Sequence, residues 1–260
     1  MPHAVYKALT IAGSDSGAGA GIQADLKTFA ALGVYGSSVI TAVTAQNTRG
    51  VTAIQQINPD IVAKQLDAVM EDIGAYIAKT GMLCSAAIVE VVASGVLRHH
   101  LAGKLVIDPV LIATTGESLL DPEAVTLLKE QLLPLALVLT PNIPEAEALT
   151  GRSDMKDAAR CLHDMGARWV VIKGGHASGD ADDLLFDGRS FQVLHAQRIG
   201  MPHTHGTGCT FSAAITASLA KGLDVPHAMA EAKRYVTAAI ERAYPIGSGS
   251  SPVHHLHPLW

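Results

Sequence analysis

The stretch TIAGSDSGAGAGIQADLKTFAALG, Thr10 to Gly33, passes from an apolar run through a glycine-rich turn into a helical pattern. Strand, turn and helix in that order open a βαβ unit. Gly19-Ala20-Gly21-Ile22-Gln23-Ala24 matches the dinucleotide fingerprint G-x-G-x-x-A, but its surroundings argue against that use. Ser14 to Ala18 intervene where a dinucleotide turn would be tight. The next apolar run, SSVITAV, ends in Thr44-Ala45-Gln46-Asn47, with no acid to hold a ribose 2′-hydroxyl. A nicotinamide-linked oxidoreductase is therefore disfavoured. The turn suits a pocket for a small polar molecule, with Asp25 one helical turn inside. The competing reading is a helix cap whose glycines serve only close packing.

Outward from this unit the pattern repeats. Apolar segments VYKALTIAG, SSVITAV, AYIAKTGML, KLVIDPVL, LALVLTPN and RWVVIKGG each end at glycine, proline or a small polar residue. Helical stretches separate them. Val62, Leu66, Val69 and Ile73 form one stripe behind Pro59, with Asn58 as N-cap, and Asp121-Pro122 and Pro226 start two more helices. The segment DDLLFDGRSFQVLHAQRI predicts a hairpin about Asp187-Gly188. Strands alternating with helices predict an α/β domain over 1–260 with a mostly parallel sheet.

Composition agrees. Hydrophobic residues make up 48% of the 260 and aromatics only 4%, the palette of buried parallel strands. A net charge of −5 without a lysine/arginine cluster argues against nucleic acid as a partner. No apolar run is long enough to span a membrane, and MPHAVYKALTIAG lacks the features of a signal peptide. Three cysteines with no C-x-x-C pair fit a reducing cytosol better than a disulfide framework.

Ligands of open α/β sheets sit at the carboxyl ends of the strands, so the polar residues ending these segments should converge. In HGTGCTFSAA, His205 to Ala214, Gly206 and Gly208 let the amides of Thr207, Gly208, Cys209 and Thr210 point into one concavity at a helix start. Such a nest binds phosphate oxygens, and Gly222 closes the helix as a C′ glycine does. An ordinary capped helix is the alternative. No P-loop signature is present. Asp108, Asn142 and Glu145 follow two strands and offer hard oxygen ligands suited to Mg²⁺, while Lys173 follows a third. Nest, carboxylates and lysine are what phosphoryl transfer needs.

Taken together these residues resemble the ribokinase superfamily, and within it the hydroxymethylpyrimidine and hydroxymethylpyrimidine-phosphate kinases of thiamine biosynthesis. The resemblance rests on AGSDSGAGAGIQADLK (12–27), VITAVTAQNTRGV (39–51), KTGML (79–83), DPV (108–110), LTPNIPEAEAL (139–149), KGGH (173–176), THGTGCTFSAA (204–214) and PVHHLHPLW (252–260). One position departs: Ala18 stands where the family's turn reads GGGAG. The resemblance implies a three-layer αβα sandwich, ATP and Mg²⁺ as cofactors, and a homodimer. It assigns the aminopyrimidine to Gly13, Asp25, Gln46, Met82 and Val110, and the alternative of a plain core residue is stronger for Met82 and Val110 than for the polar pair. By the same carry-over Asp108 and Glu145 serve the Mg²⁺ region, Asn142 and Lys173 the ATP phosphates, and the amides of Gly206, Thr207, Gly208 and Cys209 the transferred group.

Many kinases of this superfamily place aspartate where Cys209 stands. A thiol at a helix N-terminus is expected to have its pKa lowered from about 8.5, toward use as a base. A phosphate monoester acceptor needs little base, since its second pKa is about 6, and a neutral thiol would not repel it. His99-His100, His203, His205 and the His254, His255 and His257 tail lack acidic or cysteine partners at metal spacing. A pyridoxal or pyridoxine kinase of the same superfamily is the rival function. A non-catalytic nucleotide-binding protein is disfavoured by Asp108, Glu145, Lys173 and Cys209 occurring together.

Overall fold

Strand and helix alternate along most of the chain. β1 (Lys7–Asp15) leads into α1 (Gly21–Ala31), β2 (Tyr35–Asn47) turns back into β3 (Gly50–Gln56), and α2 (Pro59–Ala68) ends in a π-helical turn over Val69–Ile73. Next come β4 (Ile77–Thr80), α3 (Ala86–Arg98), β5 (Leu105–Ile107) and α4 (Pro122–Leu127). They are followed by β6 (Val138–Leu139), α5 (Ile143–Thr150), α6 (Met155–Asp164) and β7 (Trp169–Ile172). β8 (Asp183–Phe186) and β9 (Phe191–Leu194) precede α7 (Thr207–Ala220) and α8 (Val225–Glu241). This computed structural model describes residues 5–111, 120–176, 179–200 and 203–260. Met1 to Ala4, the start of the segment considered as a leader, lie outside the described residues.

Among the described residues nine strands form one sheet, in the order β3-β2-β1-β4-β5-β6-β7-β8-β9. The run from β2 to β7 is parallel throughout, while β3 and β8 pair antiparallel with their inner neighbours. Side chains alternate across the sheet, as the two-residue period of a strand requires. Leu9, Ile11, Leu105, Ile107, Val170 and Ile172 enter one apolar core, with residues of α2 to α6 on that face. Ala8, Val106, Val138 and Val171 enter a second, with α1, α7 and α8 opposite. Helices thus cover both faces, giving the three-layer α/β arrangement.

The caps fall where expected. Asn58 accepts from the Asp60 amide, Asp121 from Ala124 and Asp224 from His227, and Gly222 follows α7 at φ 89°. β8 and β9 flank Asp187-Gly188 as a hairpin. Two features differ from the sequence reading. β3 was not anticipated, because its residues from Thr52 onward are exposed and carry no buried alternation. The α2 stripe is cut short: Val62 and Leu66 are buried, but Val69 and Ile73 lie in the π-turn, half-buried. In the tail, His254, His255 and His257 are buried. His254 packs against Tyr244 and Trp260, and the Tyr235 hydroxyl donates to the His255 carbonyl.

Candidate active site

The strand order doubles back between β1 and β4, which leaves a crevice at their carboxyl ends. A cavity of about 670 Å³ opens there and runs along the ends of β1, β2 and β4 to β7 to the start of α7. Gly13, Gln46, Met82 and Val110 line it. Asp108, Asn142, Glu145, Lys173 and residues 206–209 line it as well. Sequence reasoning placed all of these together.

Asp25 is the exception. It does not reach the cavity wall: its exposure is 0%, and its carboxylate accepts from Thr10 Oγ1 at 2.6 Å and from Lys79 Nζ at 2.9 and 3.0 Å. Lys79 is equally enclosed. Burial raises the Asp25 pKa and the Lys79 charge opposes that rise. In this structure Asp25 is enclosed in an ion pair with Lys79 and does not line the cavity. A signal for it was present, since Lys79 is the one charge in the apolar run AYIAKTGML.

The charges about Lys173 are open to the cavity. Asp108 accepts from Lys173 Nζ at 2.8 Å and from Ser212 Oγ at 3.2 Å. Glu145 Oε2 lies 3.9 Å from the same ammonium. Burial works against the charge of Lys173, but the two carboxylates outweigh it and raise its pKa. Burial, with Asp108 adding to it, pushes the Glu145 carboxyl up, and Lys173 pulls it back. Asn142 and Glu145 form a capping box at α5, each accepting at 2.8 Å from the other's amide. The Asn142 side-chain oxygen is thus occupied, which leaves its NH₂ group to meet a phosphate.

The α7 loop is narrower than the sequence suggested. The amide of Thr207 is taken by the Thr204 carbonyl at 3.2 Å and that of Thr210 by the Gly206 carbonyl at 2.9 Å. Among the described residues, the amides of Gly208 and Cys209 have no backbone acceptor. The four-amide nest is corrected to two donors. Gly206 turns the chain at φ 78°, and a Cβ there would fall 1.8 Å from the Gly19 carbonyl oxygen, so the two glycine loops close on each other. A Cβ on Gly208 would stand 3.3 Å from Lys173 Nζ and 3.6 Å from Asp108 Oδ2. The free amides and the ammonium thus share one concavity.

Cys209 lines the cavity, but its expected lowered pKa is overturned. Desolvation pushes the thiol up to about 12, with Asp25 and Asp108 adding to the rise and Lys79 opposing it. The helix N-terminus alone does not decide its state. Ala18 adopts φ 60°, a left-handed conformation that costs a non-glycine residue about 1–2 kcal/mol, which accounts for glycine in the family's turn. Sequence reasoning missed Asp15, which accepts from three amides of the glycine turn; the Asp-Ser-Gly signature of an Asx-turn was the available signal.

This arrangement of ring-sized pocket, paired charges and free amides can be set beside known proteins. The phosphomethylpyrimidine kinase family model matches residues 15–254. The chain belongs to that family. A hydroxymethylpyrimidine/phosphomethylpyrimidine kinase of Rhizobium meliloti is 52% identical over 262 residues, covering 97% of this chain and 98% of that one. The thiamine biosynthesis bifunctional protein ThiED of Geobacter sulfurreducens is 54% identical over 95% of this chain, which spans only 52% of that longer protein. Among solved structures, an ADP complex of Bacillus subtilis pyridoxal kinase superposes with a TM-score of 0.90 at 42% identity, covering 97% of this chain and 98% of that one. The fold is that of the ribokinase-like kinases.

Proposed function

We propose that this chain, as a single kinase domain, transfers the γ-phosphoryl group of ATP first to the hydroxymethyl group of 4-amino-5-hydroxymethyl-2-methylpyrimidine and then to the resulting monophosphate. The observation that carries this reading is the meeting of Gly208, Lys173 and Asp108 in one concavity, within the same cavity that Gln46 and Met82 line. The ring packs on Met82 and Val110 and hydrogen-bonds to Gln46, beside Gly13. The amides of Gly208 and Cys209 and the Lys173 ammonium receive the γ-phosphate, where fixed donors cost no reorganisation as charge shifts. The nucleotide extends toward Arg198, Lys233 and Thr237, which line the same cavity.

Two carboxylates, Asp108 and Glu145, fit Mg²⁺, which takes one or two protein carboxylates alongside phosphates and water. When bound, the ion neutralises phosphate charge. The raised pKa of Cys209 keeps its thiol neutral, so it does not repel the anionic acceptor of the second step. In a loose transition state the first acceptor's proton leaves late, which relaxes the need for a resting base. No helix among the described residues is long and apolar enough to cross a membrane. We place the enzyme in the cytosol as a homodimer, a reading supported by exposed Tyr35, Val43 and Ile54 on β2 and β3.

Phosphorus NMR of products from the hydroxymethylpyrimidine, ATP and Mg²⁺ tests the reading: mono- and then diphosphate are expected, and absence of both overturns it. A pyridoxal-type ring as second substrate is favoured by the similarity to the Bacillus pyridoxal kinase. That ring should stop at the monophosphate in the same assay.

A further inference from the structure

Behind Gln46 lies a hydrogen-bond chain that the phosphoryl chemistry does not use. Asp15 Oδ1 accepts from the Gly17 amide at 2.7 Å, and Oδ2 from the amides of Gly19 and Ala20 at 3.0 and 2.8 Å. Oδ2 also lies 3.2 Å from His205 Nε2. That same imidazole nitrogen is 3.4 Å from Gln46 Nε2. On its other side, Gln46 Oε1 is 3.1 Å from Thr44 Oγ1, which is itself 3.1 Å from the Ser14 carbonyl oxygen. All of Asp15, Thr44, Gln46 and His205 border the cavity.

Counting protons shows a conflict. Burial alone would raise the Asp15 pKa, but the bond from His205 and those from the amides of Ala20 and Gly17 outweigh it and hold the carboxyl below its ordinary range. An ionised carboxylate only accepts, so His205 Nε2 carries the proton. With the Gln46 NH₂ turned toward it, two donors would face each other. The single Thr44 hydroxyl proton would also be claimed by both the Ser14 carbonyl and Gln46 Oε1. Turning the carboxamide over resolves both conflicts at once. Its oxygen then shares the single His205 Nε2 proton with Asp15 Oδ2 in a three-centre bond, its NH₂ donates to Thr44, and Thr44 donates to Ser14. Side-chain amide ends are properly assigned from such networks.

We propose that His205, fixed by Asp15, is a positioning residue that locks the Gln46 carboxamide with its oxygen on the α7 side and its NH₂ on the Thr44 side, and so selects which way round a ring is held. The proposal rests on the aminopyrimidine reading above and deepens it. A carboxamide held this way keeps one lone pair and one N–H for a ligand. It can clamp an edge that presents a donor beside an acceptor, as an exocyclic amine and its neighbouring ring nitrogen do. The amine then lies on the His205 side. The hydroxymethyl group on the adjacent ring carbon projects toward Gly206 to Cys209, which continue directly from His205. A 4-oxo ring presents acceptor and donor in the reverse order and meets the locked carboxamide like against like.

The test compares kcat/KM for the 4-amino ring and its 4-oxo analogue in the wild type, His205→Leu and His205→Gln. The wild type is expected to favour the amino ring by about 100-fold, a preference that one mismatched bidentate pair supports. His205→Leu frees the carboxamide to turn, and the preference should fall by about tenfold or more. His205→Gln, which can place an amide donor between Asp15 and Gln46, should retain most of it. Equal losses on both rings in His205→Leu, with the preference intact, would make His205 merely structural and overturn the proposal. Neutron diffraction of the unsubstituted protein decides the same point without a variant: deuterium on His205 Nε2 and ND₂ facing Thr44 are expected, and ND₂ facing His205 contradicts it. If the wild type phosphorylated neither ring, the functional reading would fail while the neutron map still judged the orientation.

Discussion

Two of the buried lysine–aspartate pairs among the described residues, Lys79–Asp25 and Lys173–Asp108, differ in closure and in charge balance. Lys79–Asp25 is sealed, with both side chains at 0% exposure and Thr10 completing the shell. Lys173–Asp108 opens to the cavity, with the lysine 15% exposed, and Glu145 brings a second carboxylate to 3.9 Å. In the first, one cation meets one anion and every strong partner is internal. In the second, one cation faces two anions beside free amides, so charge remains for an incoming ligand to complete. Burial of charge therefore does not identify a reactive group here; access and imbalance do.

The largest expected effect falls on the open pair. Lys173→Gln keeps a donor for Asp108 but removes the charge, and kcat/KM should fall by about 10²–10³ with the far-UV circular dichroism unchanged. A loss below tenfold would erase the distinction between the two pairs. For the closed pair the effect is on folding. Asp25→Ala leaves Lys79 buried and uncompensated, which should cost about 3–5 kcal/mol in urea unfolding. Replacing both, Asp25→Leu with Lys79→Met, should recover most of that loss. If the single variant were as stable as the wild type, the pair would not be sealed.

Cys209 feels both pairs, since Asp25 and Asp108 raise its pKa while Lys79 lowers it. Cys209→Asp adds a fixed negative charge beside the acceptor. The rate of the second transfer relative to the first should drop by about tenfold, one like-charge contact of about 1.4 kcal/mol; product ratios in a phosphorus NMR time course report it. The smallest effect comes from Glu145→Gln, which preserves the capping box and balances the open site. Because the folded-state pKa of Glu145 is raised, its contribution to stability is present below the ordinary carboxylate range and lost as pH rises through the folded value. The variant should therefore gain on the wild type in thermal melts at pH 8, and the gain should fade toward pH 4.

The sheet was legible because its strands carry unbroken apolar runs and its helices carry explicit caps at Asn58 and Asp121. β3 was not, because an exposed edge strand needs no apolar alternation. Asp108 and Lys173 were legible as strand-end residues, since an open parallel sheet brings those ends together, whereas Gln46 and Met82 were placed at the pocket by the family resemblance. The enclosure of Asp25 was not read from the sequence, although Ile22, Asp25 and Phe29 share the buried stripe of α1. The thiol of Cys209 was misjudged because a sequence locates a helix N-terminus but not the buried acids around it. The His205–Gln46 contact joins residues 159 positions apart and leaves no trace in either local pattern.

The most direct test of the account is a crystal structure with a non-hydrolysable ATP analogue and Mg²⁺. The terminal phosphate is expected about 3 Å from the amides of Gly208 and Cys209 and from Lys173 Nζ. A terminal phosphate held elsewhere, with Lys173 still paired only to Asp108, would contradict it.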